Sequence, residues 1–335
     1  MTTFLDPAKP KALLSACPAY RPSSLTAVTQ GGRSLLVKDE TARMGLGAFK
    51  AVGGVYAVAK LIEKQLGREL LPDEFLSEPV QAVASKMTFV CASAGNHGMS
   101  VAAGARLFGA QARIHLAQTV PQGFASRLEA KGAQVVRSGQ DYEQSVAAAI
   151  EDAAASGAVH LADGSWPGYT EPPRLVMEGY TIIAEEMRDE LAAKGQWPTH
   201  VYLQAGVGGL AAAMAQSIRS SWDVQPRIIV VEPDAAPCLK NSALAGEVLT
   251  VEGPESNMGR LDCKTPSMLA LEILAECADD WVTISDTQAL EAVQVARELG
   301  FASTPSGVAG LAACLADPSA SAPLMIVSEG EVDDA

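Results

Sequence analysis

The sequence predicts an α/β fold in two domains, each an open, mostly parallel sheet flanked by helices. Two observations carry the prediction. Apolar runs of strand length alternate with longer helical stretches along the 335 residues, the pattern of parallel strands joined by helical crossovers. That length suits two domains or one large domain with an insertion. A 48% hydrophobic and 19% charged composition excludes disorder.

Taken in order, the first expected strand is the apolar run Ser34–Val37. A helix follows over Ala48–Leu66, where Lys50 is the only charge as far as Ala59. Leu70–Pro79 is Pro- and Asp-rich and reads as a surface connection. From Lys86 to His160 the chain then reads strand, helix, strand, helix, strand, helix. The strands are Thr88–Cys91, Ala112–Leu116 and Gln134–Val136; the helices are His97–Leu107, Gln122–Lys131 and Tyr142–Ala155. This compact stretch predicts a small mobile domain over 85–165 that interrupts a large domain made of 1–84 and 166–335. The large domain continues with helix Arg174–Ala193, strand His200–Gln204, helix Gly209–Ser217 and strand Arg227–Val231. It closes with helices Thr287–Glu298 and Ser306–Ala316, a surface connection over Ala316–Pro323, and strand Leu324–Val327.

Charge narrows the partners. Against 39 Asp and Glu stand 25 Lys and Arg, a net charge of −14, which excludes nucleic acid and anionic membrane as partners. No apolar run reaches the roughly 18 residues of a membrane span. Met1–Lys11 lacks the apolar core of an export signal. The expectation is a cytoplasmic protein acting on small molecules or pairing with itself. Six scattered cysteines without a CxxC pair fit buried free thiols in a reducing compartment. Four histidines at no ligand spacing predict no metal site.

Four places carry chemistry. Lys50 stands alone in an apolar helix, where an ammonium is costly unless paired or neutralised. A covalent imine with an aldehyde cofactor removes that charge; a lysine of the first turn reaching solvent is the alternative. Ser93, Ala94, Gly95, Asn96 and His97 join a strand to a helix, where backbone amides can meet an anion and Asn96 can donate to a ring oxygen or carboxylate. A plain turn would look the same. Gly206, Val207, Gly208, Gly209 and Leu210 form a glycine cradle after a strand, suited to phosphate. With Ala211 they also match GxGxxA, and Glu232 ends the next strand, so an NAD-dependent oxidoreductase competes. Ser328 is delivered at the C-terminal end of the last strand, the edge where open parallel sheets bind ligands.

In this order, the lysine, Asn loop, glycine cradle and terminal serine resemble the pyridoxal-phosphate enzymes of fold type II, the tryptophan-synthase β fold. The most similar members are diaminopropionate ammonia-lyases. Matching stretches are Val37–Glu40, Gly45–Gly54, Asp163–Thr170, Met177–Tyr180, Leu203–Gly208, Val231–Asp234 and Ser328–Asp333. The resemblance runs from about Pro18 to Asp333.

The resemblance implies pyridoxal 5'-phosphate as cofactor, with Lys50 its Schiff-base lysine and the base at substrate Cα. It implies Gly206–Leu210 around the phosphate, Asn96 on the ring hydroxyl and Ser328 at the pyridine nitrogen. The backbone of Ser93, Ala94, Gly95 and His97 would hold the substrate carboxylate, and Asp163 would hold or protonate a departing amine. The implied reaction is α,β-elimination of a small L-amino acid, L-2,3-diaminopropionate to pyruvate and ammonia, by a homodimer. A dehydratase of L-serine, L-threonine or a 3-hydroxy amino acid is the alternative on the same fold. Two positions depart from the lyases: Ala94 stands where they carry an aspartate, and Thr304–Gly307 lacks the family's glutamate before Ser-Gly. Alanine transfers no proton, so activity confined to L-substrates is expected.

Overall fold

The computed structural model describes residues 5–331; Met1–Phe4, and Val332 and Asp333 of the family-like ending, lie outside them. Among the described residues there are ten strands: β1 Leu25–Gln30, β2 Arg33–Asp39, β3 Thr88–Ala92, β4 Gln111–Leu116, β5 Ala133–Arg137, β6 Val159–His160, β7 His200–Gln204, β8 Arg227–Pro233, β9 Asp280–Ile284 and β10 Pro323–Val327. The helices are α1 Ala8–Ser15, α2 Lys50–Leu66, α3 Glu78–Ala84, α4 Asn96–Phe108, α5 Gln122–Ala130, α6 Tyr142–Ser156 and α7 Glu171–Lys194. They continue with α8 Gly209–Ser221, α9 Cys238–Ala245, α10 Met268–Cys277, α11 Asp286–Glu298 and α12 Ala309–Ala316. None of these helices is long and apolar enough to cross a membrane.

Two sheets result. A six-stranded sheet runs β1-β2-β10-β7-β8-β9, and a four-stranded sheet runs β5-β4-β3-β6. Among the ten named strands only the β1–β2 hairpin is antiparallel and every other strand pairing is parallel; isolated antiparallel bridges join Ala48 to Glu329 and Trp166 to Tyr169. Alternate residues of the large sheet enter opposite layers, as period-2 side chains must. Val201, Leu203, Ile228 and Val230 face the layer of α2, α7, α8 and α10. Tyr202, Ile229, Val231 and Met325 face α11 and α12. A parallel sheet needs both faces covered, and its strands therefore read as continuous apolar runs.

Several elements escaped the sequence-based expectation. β1 has one buried residue in six, so no alternation marks it. β9 is an edge strand of mostly half-exposed residues, and β6 is two residues long. Helices α1, α3, α9 and α10 are also additional to those expected. The Leu70–Pro79 stretch is not merely surface: Phe75 is buried in a short helical turn against Phe108, with ring centroids 6.1 Å apart. Five of the six cysteines are buried, Cys263 is half-buried, and all six are free.

Helix α2 wedges between the two halves. A Cβ on Gly179 of α7 would lie 2.8 Å from both Gly53 Cα and Val52 O, and one on Gly54 would lie 2.1 Å from Ser100 Oγ of α4. Helix backbones approach this closely only where side chains are missing. A buried charge network fixes the segment leading into α2. Arg43 bridges Glu40 (2.6 Å) and Glu186 of α7 (2.7 Å), and Lys38 meets Glu186 at 2.6 Å. Substituting Gly179→Ala should overpack the α2–α7 contact and cost about 1–3 kcal/mol. Chemical denaturation should show a lowered midpoint at unchanged slope; an unchanged midpoint would refute the tight contact.

Candidate active site

Between the sheets lies a cavity of about 410 Å³. Its wall includes every residue that the family resemblance assigns to the site: Lys50, the Ser93–His97 loop, Asp163, Gly206–Leu210 and Ser328. Phe49, Tyr142, Tyr180, Arg260, Cys263, Ser306 and Glu329 line it as well, and none of these was assigned a role. Phe49, Tyr180 and Glu329 had a usable signal in the matching stretches and Ser306 in Thr304–Gly307, whereas Tyr142, Arg260 and Cys263 had none.

Main-chain pairing brings the two ends of the chain's motif set together. Phe49 N donates to Ser328 O (3.0 Å) and Gly330 N to Gly47 O (2.9 Å). Lys50, the first residue of α2, is thereby set beside the C-terminal end of β10. Its helix is buried from Ala51 through Ala59, but the amine reaches the cavity rather than bulk solvent and pairs with Asp163. The Phe49 ring lies 5.3 Å from Nζ and packs edge-on against Tyr180 at 4.9 Å.

Asp163 sits on the loop after β6, and that loop is pinned at several points. Leu161 N donates to Val90 O of β3 (2.8 Å), and the His97 ring donates from Nε2 to Leu161 O (2.7 Å). Ser165 N donates to Ser267 Oγ (3.0 Å), while Ser165 Oγ accepts from Leu269 N at the start of α10 (2.9 Å). Tyr169, stacked on Trp166 at 4.3 Å, accepts from Ala162 N and donates to His160 O. His97 thus supports the Asp163 loop through its ring, in addition to its place in the Asn loop.

The pair's electrostatics follow from burial opposed by partnership. Burial disfavours the Lys50 ammonium, yet Asp163 outweighs it and raises the amine above its ordinary range. Burial likewise disfavours the Asp163 carboxylate, but Lys50, with His97 contributing, holds it well below the usual carboxylate range. Burial lowers His97, keeping it a neutral ring. Cys263 is pushed up to about 11, first by burial and then by Asp163, so it is a thiol at neutral pH.

Two helix N-termini open onto the same cavity. α8 begins at Gly209 with no side-chain cap and no acid in its first turn, leaving its first N–H groups for an anion. Gly208 has φ +100°, and a Cβ there would lie 3.0 Å from Leu239 and Ala270, so only glycine fits the turn. α4 begins at Asn96, again with no side-chain cap. Asn96 donates to Glu329, which also accepts from Arg260 Nη1 at 2.6 Å. A phosphate-accepting helix end, a primary amine, a hydroxyl and a neutral amide donor around one enclosed space suit an aldehyde-bearing aromatic phosphate.

The dinucleotide alternative fails here. Glu232 does not face the glycine turn: it accepts from Leu239 N and Lys240 N, both at 2.8 Å, and so caps the start of α9. Burial first, against those bonds, pushes its carboxyl up to about 7.

Residues 18–327 match the family model described as pyridoxal-phosphate dependent enzyme, and the chain belongs to that family. The diaminopropionate ammonia-lyase of Escherichia coli (strain K12) is 35% identical over 285 residues, covering 82% of this chain and 71% of that protein. The holo crystal structure of the diaminopropionate ammonia lyase from Escherichia coli superposes with a TM-score of 0.85 at 28% identity, covering 99% of this chain and 91% of that one. A protein of Acidovorax sp. (strain JS42) named "Probable D-serine dehydratase" is 28% identical over 318 residues, covering 88% of this chain and 68% of its own. The fold is pyridoxal-phosphate fold type II, and the cofactor is pyridoxal 5'-phosphate.

Replacing Asp163→Asn removes the partner that offsets burial, so the Lys50 amine should titrate below its ordinary range. The pH dependence of Lys50 acylation in cofactor-free protein, read by mass spectrometry, should move to lower pH. A move upward, or none, would contradict the pairing.

Proposed function

We propose that this enzyme eliminates ammonia from L-2,3-diaminopropionate, giving pyruvate and a second ammonia. The observation that carries the proposal is the Lys50–Asp163 pair on the wall of one cavity, an amine and a carboxylate placed to move a proton between two atoms of a substrate. The similarity to the Escherichia coli lyase supports it.

Position in the cavity supports the following roles. Lys50 would hold the cofactor and, when freed, take the proton from substrate Cα. Gly206, Val207, Gly208, Gly209 and Leu210 would receive the phosphate at the α8 terminus; Asn96 would face the ring hydroxyl and Ser328 the ring nitrogen. Ser93, Ala94, Gly95 and His97 would hold the carboxylate through their backbone. When bound, the cofactor supplies an electron sink that acidifies Cα. Asp163 receives a proton through Lys50 and delivers it to the β-nitrogen as the carbon–nitrogen bond breaks, so the amine leaves as ammonia. The product, 2-aminoacrylate, takes up water and releases the second ammonia as pyruvate forms.

Ala94 supports a further restriction: its methyl group moves no proton, leaving Lys50 as base on one face and activity confined to L-isomers. It also favours a second assignment, a dehydratase of L-serine or another 3-hydroxy amino acid. We further propose that 85–165 is a small domain that closes over substrate against the large domain, 1–84 and 166–335, excluding water. Its four strands form a sheet of their own. A cytoplasmic homodimer completes the proposal, supported by free cysteines and by the pairing habit of the family.

Pyruvate release from L-2,3-diaminopropionate should exceed that from L-serine, with none from the D-diamine. Lys50→Ala should abolish turnover, and Asp163→Asn should slow the L-diamine by about 10²–10⁴-fold. Faster turnover of L-serine would establish the dehydratase, and turnover of the D-diamine would remove the restriction to L-isomers.

A further inference from the structure

The cavity holds a second charged pair for which the elimination has no use. Arg260 lies on the segment between α9 and α10, and its Nη1 donates to Glu329 Oε1 at 2.6 Å. Glu329 is buried, its side chain 4% exposed, whereas the Arg260 side chain keeps 29%. Asn96 and Thr304 also donate to this carboxylate, so its charge is shared among three donors. Arg260 N is itself fixed by Ser306 Oγ at 3.1 Å. One corner of the guanidinium is therefore held by a rigid acceptor. A guanidinium carries five donors, and the held corner uses one.

The open edge has a direction. A Cβ built on Gly95 would lie 3.9 Å from Arg260 Nε, so the guanidinium passes alongside the backbone of the Asn loop. That loop leads into the uncapped N-terminus of α4, whose first N–H groups have no helical acceptor. Two donor sets from different parts of the chain thus meet at one place. A carboxylate, with two oxygens in a plane, can accept from both, and an arginine serves this geometry better than a lysine.

We propose that Arg260 binds the α-carboxylate of the amino-acid substrate opposite the Asn loop, with Glu329 as the positioning residue that aims its guanidinium. This rests on the assignment of the cavity to an amino-acid substrate. The enzyme's ligands are accordingly α-amino acids, and amines lacking the carboxylate are discriminated at this arginine.

The test uses pyridoxal-phosphate-loaded protein and two amines, with binding followed through the cofactor's absorbance. L-alanine has the amine and the carboxylate but no β leaving group, and ethylamine is the same skeleton without the carboxylate. Arg260→Gln should weaken L-alanine by about ten- to hundredfold, the range of a charge-assisted hydrogen bond, and leave ethylamine unchanged. Arg260→Lys should fall between. The double variant R260Q/E329Q guards against an unpaired buried carboxylate and should keep the selective loss. With L-2,3-diaminopropionate, R260Q should raise KM and spare kcat. Equal weakening of both amines would assign Arg260 only to neutralising Glu329 and overturn the proposal, as would unchanged L-alanine binding. A wild type that binds L-alanine yet makes no pyruvate from any substrate would retire the lyase alone. One that responds to neither amine would overturn both.

Discussion

Everything in this molecule hinges on how closely helix α2 can be approached. Gly53 meets Gly179 of α7 on one side, and Gly54 meets Ser100 of α4 on the other. Through these contacts one helix locks to both the long helix of the large sheet and the helix that presents Asn96. Lys50 opens α2, so the position of the amine is set by backbone-to-backbone packing rather than by its own flexible stem. Tyr180 follows Gly179 and lines the same cavity, so the contact that seats the helix also shapes the wall facing the amine.

The cavity holds charges in matched pairs, among them Lys50 with Asp163 and Arg260 with Glu329. Isolated, any of the four would carry a desolvation cost of several kcal/mol. Paired, each partner sustains the other, and an anionic phosphate can be received by neutral helix ends instead of by a lysine. A proton can pass between Lys50 and Asp163 without leaving a net charge in an enclosed space. Such a pair suits chemistry in which a proton removed at one atom is returned at its neighbour.

Much of this was legible in the chain. The parallel strands β3 and β10 are apolar runs because both their faces are covered, β7 keeps an apolar centre and β4 alternates, and the predicted limits of all four fell within two residues of those found. The glycine cradle and the Asn loop were visible because strand-to-helix turns demand small residues at fixed places. Strands β1 and β9 escaped because edges bury little, and α10 because a short, strongly apolar run fits a buried strand as well as a helix. Arg260 and Glu329 were invisible as a pair: 69 residues separate them, and only folding makes them neighbours. Glu232 shows the opposite error. A glycine turn followed by an acid satisfied a dinucleotide pattern, yet that acid caps a helix.

The place of β10 has a consequence for how the protein comes into being. β10, the last strand among the described residues, is not an edge: it lies between β2 and β7 in the interior of the six-stranded sheet. Its end also zips to the residues around Lys50. The four-stranded sheet, drawn from one contiguous stretch, can assemble while synthesis continues, since domains fold as units during translation. The large sheet must instead hold a slot open until β10 emerges. During that interval β2 and β7 expose unpaired edges, the surface most prone to sticking to other chains. A nascent copy is therefore most vulnerable just before β10 is made, when the other five strands of the large sheet are already present.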